Sequence, residues 1–133
     1  MESQLKFAAV DIGSNAVRLF LSGVFEDGDL PTFRKMSLVR MPIRLRDEAF
    51  TQKHISENKV SQLVKTMVDF NHLIDSFQTL GFMACATLAM REAENGPQIR
   101  EQILNESGID VEIIMVLFGS YTKTIRTNRE SFL

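Results

Sequence analysis

Two short stretches carry residue types that could handle phosphate. The first is Asp11-Ile-Gly-Ser-Asn15. A carboxylate at a strand end can hold a divalent cation or orient a water, and a glycine lets the backbone come close to an anion. The Ser14 hydroxyl and the Asn15 amide add donors suited to phosphate oxygens. The same composition also makes an ordinary turn, so by itself this stretch leaves both readings open. The second stretch is Ala86-Thr87-Leu-Ala-Met-Arg91-Glu-Ala. Thr87 ends an apolar run, and Arg91 falls one helical turn later, from where it could reach back over the strand ends. A guanidinium keeps its charge and donates in a fork that matches phosphate. A solvated ion pair with Glu92 or Glu94 is the plainer alternative.

Other reactive residue types form no such constellation. Arg40, Arg44 and Arg46 could rim a polyanion site, although loose surface charge has the same pattern. Cys85, inside an apolar run, reads as a small core residue. His54 and His72 stand apart, without the spacing of a metal site. Neither Gly-x-x-x-x-Gly-Lys nor Gly-x-Gly-x-x-Gly occurs.

The elements that must position these residues follow from periodicity. Phe7–Ile12 is a short apolar run with one acid, which predicts a buried strand reaching a functional edge. Val17–Phe25 alternates, with Val17, Leu19, Leu21 and Phe25 on the more apolar face and Arg18, Phe20, Ser22 and Val24 on the other. Asp27-Gly28 marks a hairpin turn, and Thr32–Val39 returns as a third antiparallel strand. Residues 40–54 read as a loop interrupted by Pro42. From Ser56, a good N-cap, Val60, Leu63, Val64, Met67, Phe70, Leu73, Ile74 and Phe77 recur at helical spacing. Phe82–Thr87 is the next strand, and Leu88–Glu94 a helix entered directly from it. Asn95-Gly96-Pro97 breaks that helix, Gln98–Ser107 forms another, and Gly108 stops it. Val111–Phe118 is the last strand. Strands that alternate with helices after a meander predict an α/β fold built on a mixed sheet with crossover connections.

Composition bounds the rest. The chain has 133 residues, 44% hydrophobic and 24% charged, which suits one globular domain with a real core. Fifteen basic against seventeen acidic side chains give a net charge of −2. That balance supplies no strong pull toward nucleic acid. A single cysteine fits a reducing cytoplasm, and no apolar run approaches the length needed to span a bilayer.

Taken together, Asp11-Ile-Gly-Ser-Asn-Ala-Val-Arg-Leu19, Val39-Arg-Met-Pro-Ile-Arg-Leu45 and Ala84-Cys-Ala-Thr-Leu-Ala-Met-Arg-Glu-Ala93 form a recognisable set. With it the chain resembles the amino-terminal domain of the exopolyphosphatase / guanosine pentaphosphate phosphohydrolase family. The likeness runs from about Phe7 to Ile114. It implies a ribonuclease-H-like domain of the actin-like ATPase superfamily, with a second such domain closing a cleft. It also implies hydrolysis of a terminal phosphoanhydride, in polyphosphate or guanosine pentaphosphate, with Mg2+. In that reading Asp11 holds the metal or the water, Gly13, Ser14 and Asn15 wrap the terminal phosphate, Arg91 binds the phosphate chain, and Thr87 shapes the same edge.

One part of the pattern departs. The family follows its last strand with a pair of glutamates opening a helix, one of them the catalytic base. Here no carboxylate occurs between Glu112 and Glu130, and Glu112 belongs to the strand. Gly119–Leu133 carries three basic residues against one acid and no clean period. The expectation is a truncated first domain over 1–118, an atypical tail over 119–133 and no second domain, as a changed reading frame would give. Two functional classes follow. One is a hydrolase represented by its first domain; the other is a non-catalytic phosphate-binding module that docks on a missing second domain or a second copy.

Overall fold

The computed structural model describes residues 4–25, 28, 30, 32–114 and 126–127. The chain opens with a meander: β1 (Gln4–Ile12), β2 (Val17–Phe25) and β3 (Thr32–Met41) pair antiparallel in sequence order. Two helices follow, α1 (Arg46–Thr51) and α2 (Glu57–Phe77). Strand β4 (Gly81–Ala86) then lies parallel to β1. Helices α3 (Leu88–Glu92) and α4 (Gly96–Ser107) lead to β5 (Glu112–Ile113), parallel to β4. The sheet order is β3-β2-β1-β4-β5, with β6 (Arg126–Thr127) pairing antiparallel to β4. This is the mixed α/β sheet that the sequence pattern predicts.

Strand parity decides what the sheet buries, because successive side chains point to opposite faces. Ala8, Val10 and Ile12 of β1, Val17, Leu19 and Leu21 of β2, and Ala84 and Ala86 of β4 belong to the buried core. Against them pack Val60, Leu63, Val64, Met67, Phe70 and Ile74 from α2 and Ile99 and Ile103 from α4. Residues of the opposite parity, Leu5, Phe7, Ala9, Phe20 and Met83, are half-buried. The long helix starts where its sequence says: the Ser56 hydroxyl accepts the Lys59 N–H at 3.4 Å. It ends with Gln78 in a left-handed conformation, φ 60°.

The structure corrects several boundaries. The loop expected over 40–54 contains α1, a six-residue helix too short to impose a period and lacking a capping side chain. Its burial comes from Ala49, with the fully buried Ile43 and Leu45 just ahead of it. Helix α3 stops at Glu92 rather than Glu94, and α4 begins at Gly96, so that Pro97 falls in its first turn, where no amide is needed. Of the last predicted strand, Glu112–Ile113 is formed, and residues 115–118 lie outside the described residues. Of the expected tail over 119–133, only Arg126 and Thr127 are described. They form the strand beside Phe82 and Gly81 instead of lying outside any element.

Candidate functional site

At the end of β1, Ile12 turns into the core, and Asp11, one residue earlier, sits half-buried on the other face. The chain reverses at once. The Gly13 N–H donates to the Ala16 carbonyl at 3.0 Å, and Ile12 already pairs with Val17. A side-chain carbon on Gly13 would stand 3.2 Å from that carbonyl oxygen, tighter than ordinary contact, so the small residue suits the turn.

The Ser14 carbonyl accepts two amides, Leu45 N–H at 2.9 Å and Arg46 N–H at 3.0 Å. The turn is thereby tied to the start of α1, which the buried Ile43 and Leu45 fix to the core. No peptide bond here is cis. In a trans peptide the carbonyl and the following amide point in opposite directions. The Asn15 N–H is therefore directed away from α1, and Asn15 itself is exposed. An outward amide with a hydroxyl and a carboxamide beside it is a set of donors that can meet an oxyanion.

The second motif arrives beside the first. Strand β4 pairs with β1 through Ile12 and Ala86, and the Thr87 N–H donates to the Ile12 carbonyl at 3.3 Å. Thr87 is the N-cap of α3, yet its hydroxyl caps nothing. Thus Asp11, Gly13, Ser14, Asn15 and Thr87 meet at the carboxyl end of the parallel strands, the edge where open α/β sheets bind ligands. Arg91 lies one turn into α3, half-buried, with no hydrogen bond or ion pair to the turn at 13–16. Its Nε lies 3.8 Å from the Glu92 carboxylate, which also stands 3.5 Å from Lys53 Nζ.

A five-residue helix cannot hold itself, so its surroundings position Arg91. Ala89 and Met90 are buried. Gly96 packs so closely on the Met90 carbonyl that a Cβ there would lie 2.2 Å from its oxygen. Next to it the Asn95 side chain clips the chain ahead of α2. Its Nδ2 donates to the Ile55 carbonyl at 2.8 Å, and its Oδ1 accepts the Ile55 N–H at 3.0 Å. Together with Ile55, Asn95 also lines an open cavity of about 360 Å³ between the first turns of α2 and α4.

Strand register adds Arg18 and joins it in one row to residues that the linear sequence leaves apart. Glu112 pairs with Cys85, Cys85 with Asp11, Asp11 with Arg18, and Arg18 with Arg40. All five occupy one row on the face opposite the core. Arg40 is thus a strand residue rather than part of a loop rim. Cys85, expected in the core, is half-buried in this row, because parity gives the core face to Ala84 and Ala86. The signal lay in the loop length: once Ile12 pairs with Val17, Asp11 must face Arg18. Arg18 and Arg40 are exposed like charges at directly opposed positions. Arg44, by contrast, pairs with Asp47 at 3.1 Å in solvent.

Among the described residues no three His, Cys, Asp or Glu side chains converge as a metal cage would require. Mg2+ does not ask for one, since one or two carboxylates with waters and phosphate oxygens suffice. Asp11 fits that donor set. Nor is any described helix long and apolar enough to cross a membrane.

Known proteins resemble this chain in sequence and fold. The chain is 26% identical over 110 residues to exopolyphosphatase 1 of Mycobacterium tuberculosis, an alignment covering 83% of this chain and 31% of that protein. It therefore spans about a third of the length of that curated relative. A similar likeness, 26% over 80% of this chain and 17% of the relative, is to a bifunctional 3-dehydroquinate synthase/phosphatase of Fusobacterium nucleatum. Among solved structures, the Aquifex aeolicus member of the Ppx/GppA family superposes with a TM-score of 0.77 at 26% identity, over 84% of this chain and 35% of that one. Since the model of the Ppx/GppA phosphatase family matches residues 24–116, more than half of the sequence, the chain belongs to that family.

Proposed function

We propose that this chain forms the phosphate-gripping wall of a phosphoanhydride hydrolase that removes the terminal phosphate of polyphosphate or guanosine pentaphosphate in the cytoplasm. The observation that carries the reading is the bond from the Thr87 amide to the Ile12 carbonyl, which joins the two phosphate-type motifs at one sheet edge. In this reading the turn at Gly13, Ser14 and Asn15 donates to the terminal phosphate, and Thr87 borders it. The Arg91 fork takes an oxygen of the chain behind it. Asp11 would hold Mg2+, which supplies charge neutralisation at the phosphate oxygens.

Phosphoryl transfer also needs a group to orient the attacking water. No carboxylate occurs between Glu112 and Glu130, where the family pattern carries its glutamates. That observation favours a second reading for the chain by itself: a module that binds phosphate without turning it over, completed by a second domain or a second copy.

The test is calorimetric titration of the full chain with tripolyphosphate and Mg2+, alongside a phosphate-release assay. Binding without release above background is the expected result. Sustained magnesium-dependent release would overturn the non-catalytic reading. Absence of binding, with an unchanged Arg91→Met control, would overturn the phosphate site itself.

A further inference from the structure

We propose that Glu92 is a built-in counter-anion that lowers the affinity of Arg91 for singly engaging anions and so sets which phosphates take the site. The inference rests on the reading of Arg91 as a phosphate-binding residue.

The geometry is a chain of alternating charge. One Glu92 oxygen lies 3.8 Å from Arg91 Nε, and the other lies 3.5 Å from Lys53 Nζ. Neighbours at i and i+1 on a helix do not normally face each other. Here the carboxylate reaches Arg91 from the Nε side, and no other hydrogen bond or ion pair among the described residues engages the guanidinium. Its terminal nitrogens are left to a ligand.

Lys53 keeps the carboxylate from simply moving aside. It is a non-glycine residue in left-handed conformation, φ 56°, and its carbonyl accepts the Glu94 N–H at 2.8 Å. Lys53 is therefore attached to the end of α3 through both its main chain and its ammonium. Glu92 is thus held between the two cations before an anion arrives.

Two consequences follow from elementary electrostatics. An incoming oxyanion is repelled by Glu92 while Arg91 attracts it, and it must loosen an existing ion pair to gain full contact. That loosening is a fixed cost. An anion with several phosphoryl groups offsets it through its other contacts along the edge, whereas orthophosphate has fewer to offer.

The experiment is an NMR titration of the full chain with tripolyphosphate and with orthophosphate, following the backbone amides of residues 13–16 and Thr87 in every variant and the Arg91 Nε–H signal where Arg91 is present. Glu92→Gln is expected to tighten binding about threefold to tenfold at about 20 mM salt, with the gain shrinking near 0.5 M as the charge is screened. Orthophosphate should gain at least as much as tripolyphosphate. Lys53→Met, which leaves Glu92 uncompensated, should weaken both. A merely structural role for Glu92 would weaken binding on substitution and could not tighten it.

If Arg91→Met leaves tripolyphosphate binding unchanged, the phosphate role of Arg91 fails. If Arg91→Met weakens binding and Glu92→Gln does not tighten it, the counter-anion assignment fails while that role stands. An equal gain from Glu92→Gln in the Arg91→Met background would also overturn the assignment.

Discussion

Replacing Asn95 tests how the short helix that carries Arg91 is held. The side chain satisfies both main-chain groups of Ile55, at 2.8 and 3.0 Å, and Ile55 is fully buried. Asn95→Ala leaves one donor and one acceptor unpaired, each costing about 1–3 kcal/mol if water cannot reach it. The neighbouring open cavity admits water to this region, which favours the lower end for both groups. The expected loss is about 2 kcal/mol, or roughly 6–10 °C in Tm for a chain of this size. Asn95→Asp keeps the acceptor but sets a carboxylate oxygen against the Ile55 carbonyl, so it should cost more than alanine near neutrality.

The pH dependence has a definite sign. Repulsion from the carbonyl raises the folded-state pKa of the introduced carboxyl above its unfolded value of about 3.9. The folded state then binds the proton more tightly, so stability falls as pH rises from that unfolded value through the folded one. Once protonated, the group regains a donor for the Ile55 carbonyl. Thermal melts of both variants from pH 4 to 7 therefore should show the aspartate deficit growing with pH and the alanine deficit changing little. A cost below about 0.5 kcal/mol for alanine, or an aspartate deficit that does not move with pH, would refute the clip as the support of this junction.

Three further outcomes are expected. Gly96→Ala should destabilise by about 1–3 kcal/mol, because a backbone oxygen 2.2 Å from the new carbon outweighs a helix-propensity gain of at most about 1 kcal/mol; denaturant titration reads this. Ser56→Ala should cost about 1 kcal/mol through loss of the hydroxyl that accepts the Lys59 N–H, measured the same way. Arg40→Gln should stabilise by about 0.2–1 kcal/mol at low salt by relieving the opposition to Arg18, and the gain should vanish in high salt.

What could be read from the sequence divides along physical lines. The alternation of β2 and the helical recurrence from Val60 to Phe77 are local signals, and both elements appear where those signals put them. Helix α1 has six residues and owes its burial to contacts with the rest of the fold, so no period announced it. The two phosphate-type motifs could be named from their residues, but their adjacency depends on β4 inserting beside β1, a tertiary event. Arg18 draws no notice, and Arg40 reads as part of a loop, because the row that joins Asp11 to Arg18 and Arg18 to Arg40 is a property of register. Asn95-Gly96-Pro97 reads as a helix breaker, but the break falls just ahead of it and Gly96-Pro97 opens α4. That the asparagine would grip Ile55, far back in the chain, is written in no local pattern.

The order in which the sheet is threaded bears on how this protein is made. The meander joins neighbours in sequence, so its loops close at small entropic cost and it can form early. By the time Arg46 has been synthesised, the turn at 13–16 has its anchor. Its other half waits. Phe7 cannot meet Gly81, nor Ile12 the Thr87 amide, until all of α2 has been made and has folded back across the sheet. The site edge thus closes well after the meander, and only then can β5 and β6 add beside β4. A phosphate ligand bound across the seam as proposed would favour the closed sheet, and by mass action would draw nascent or loosened chains toward completion.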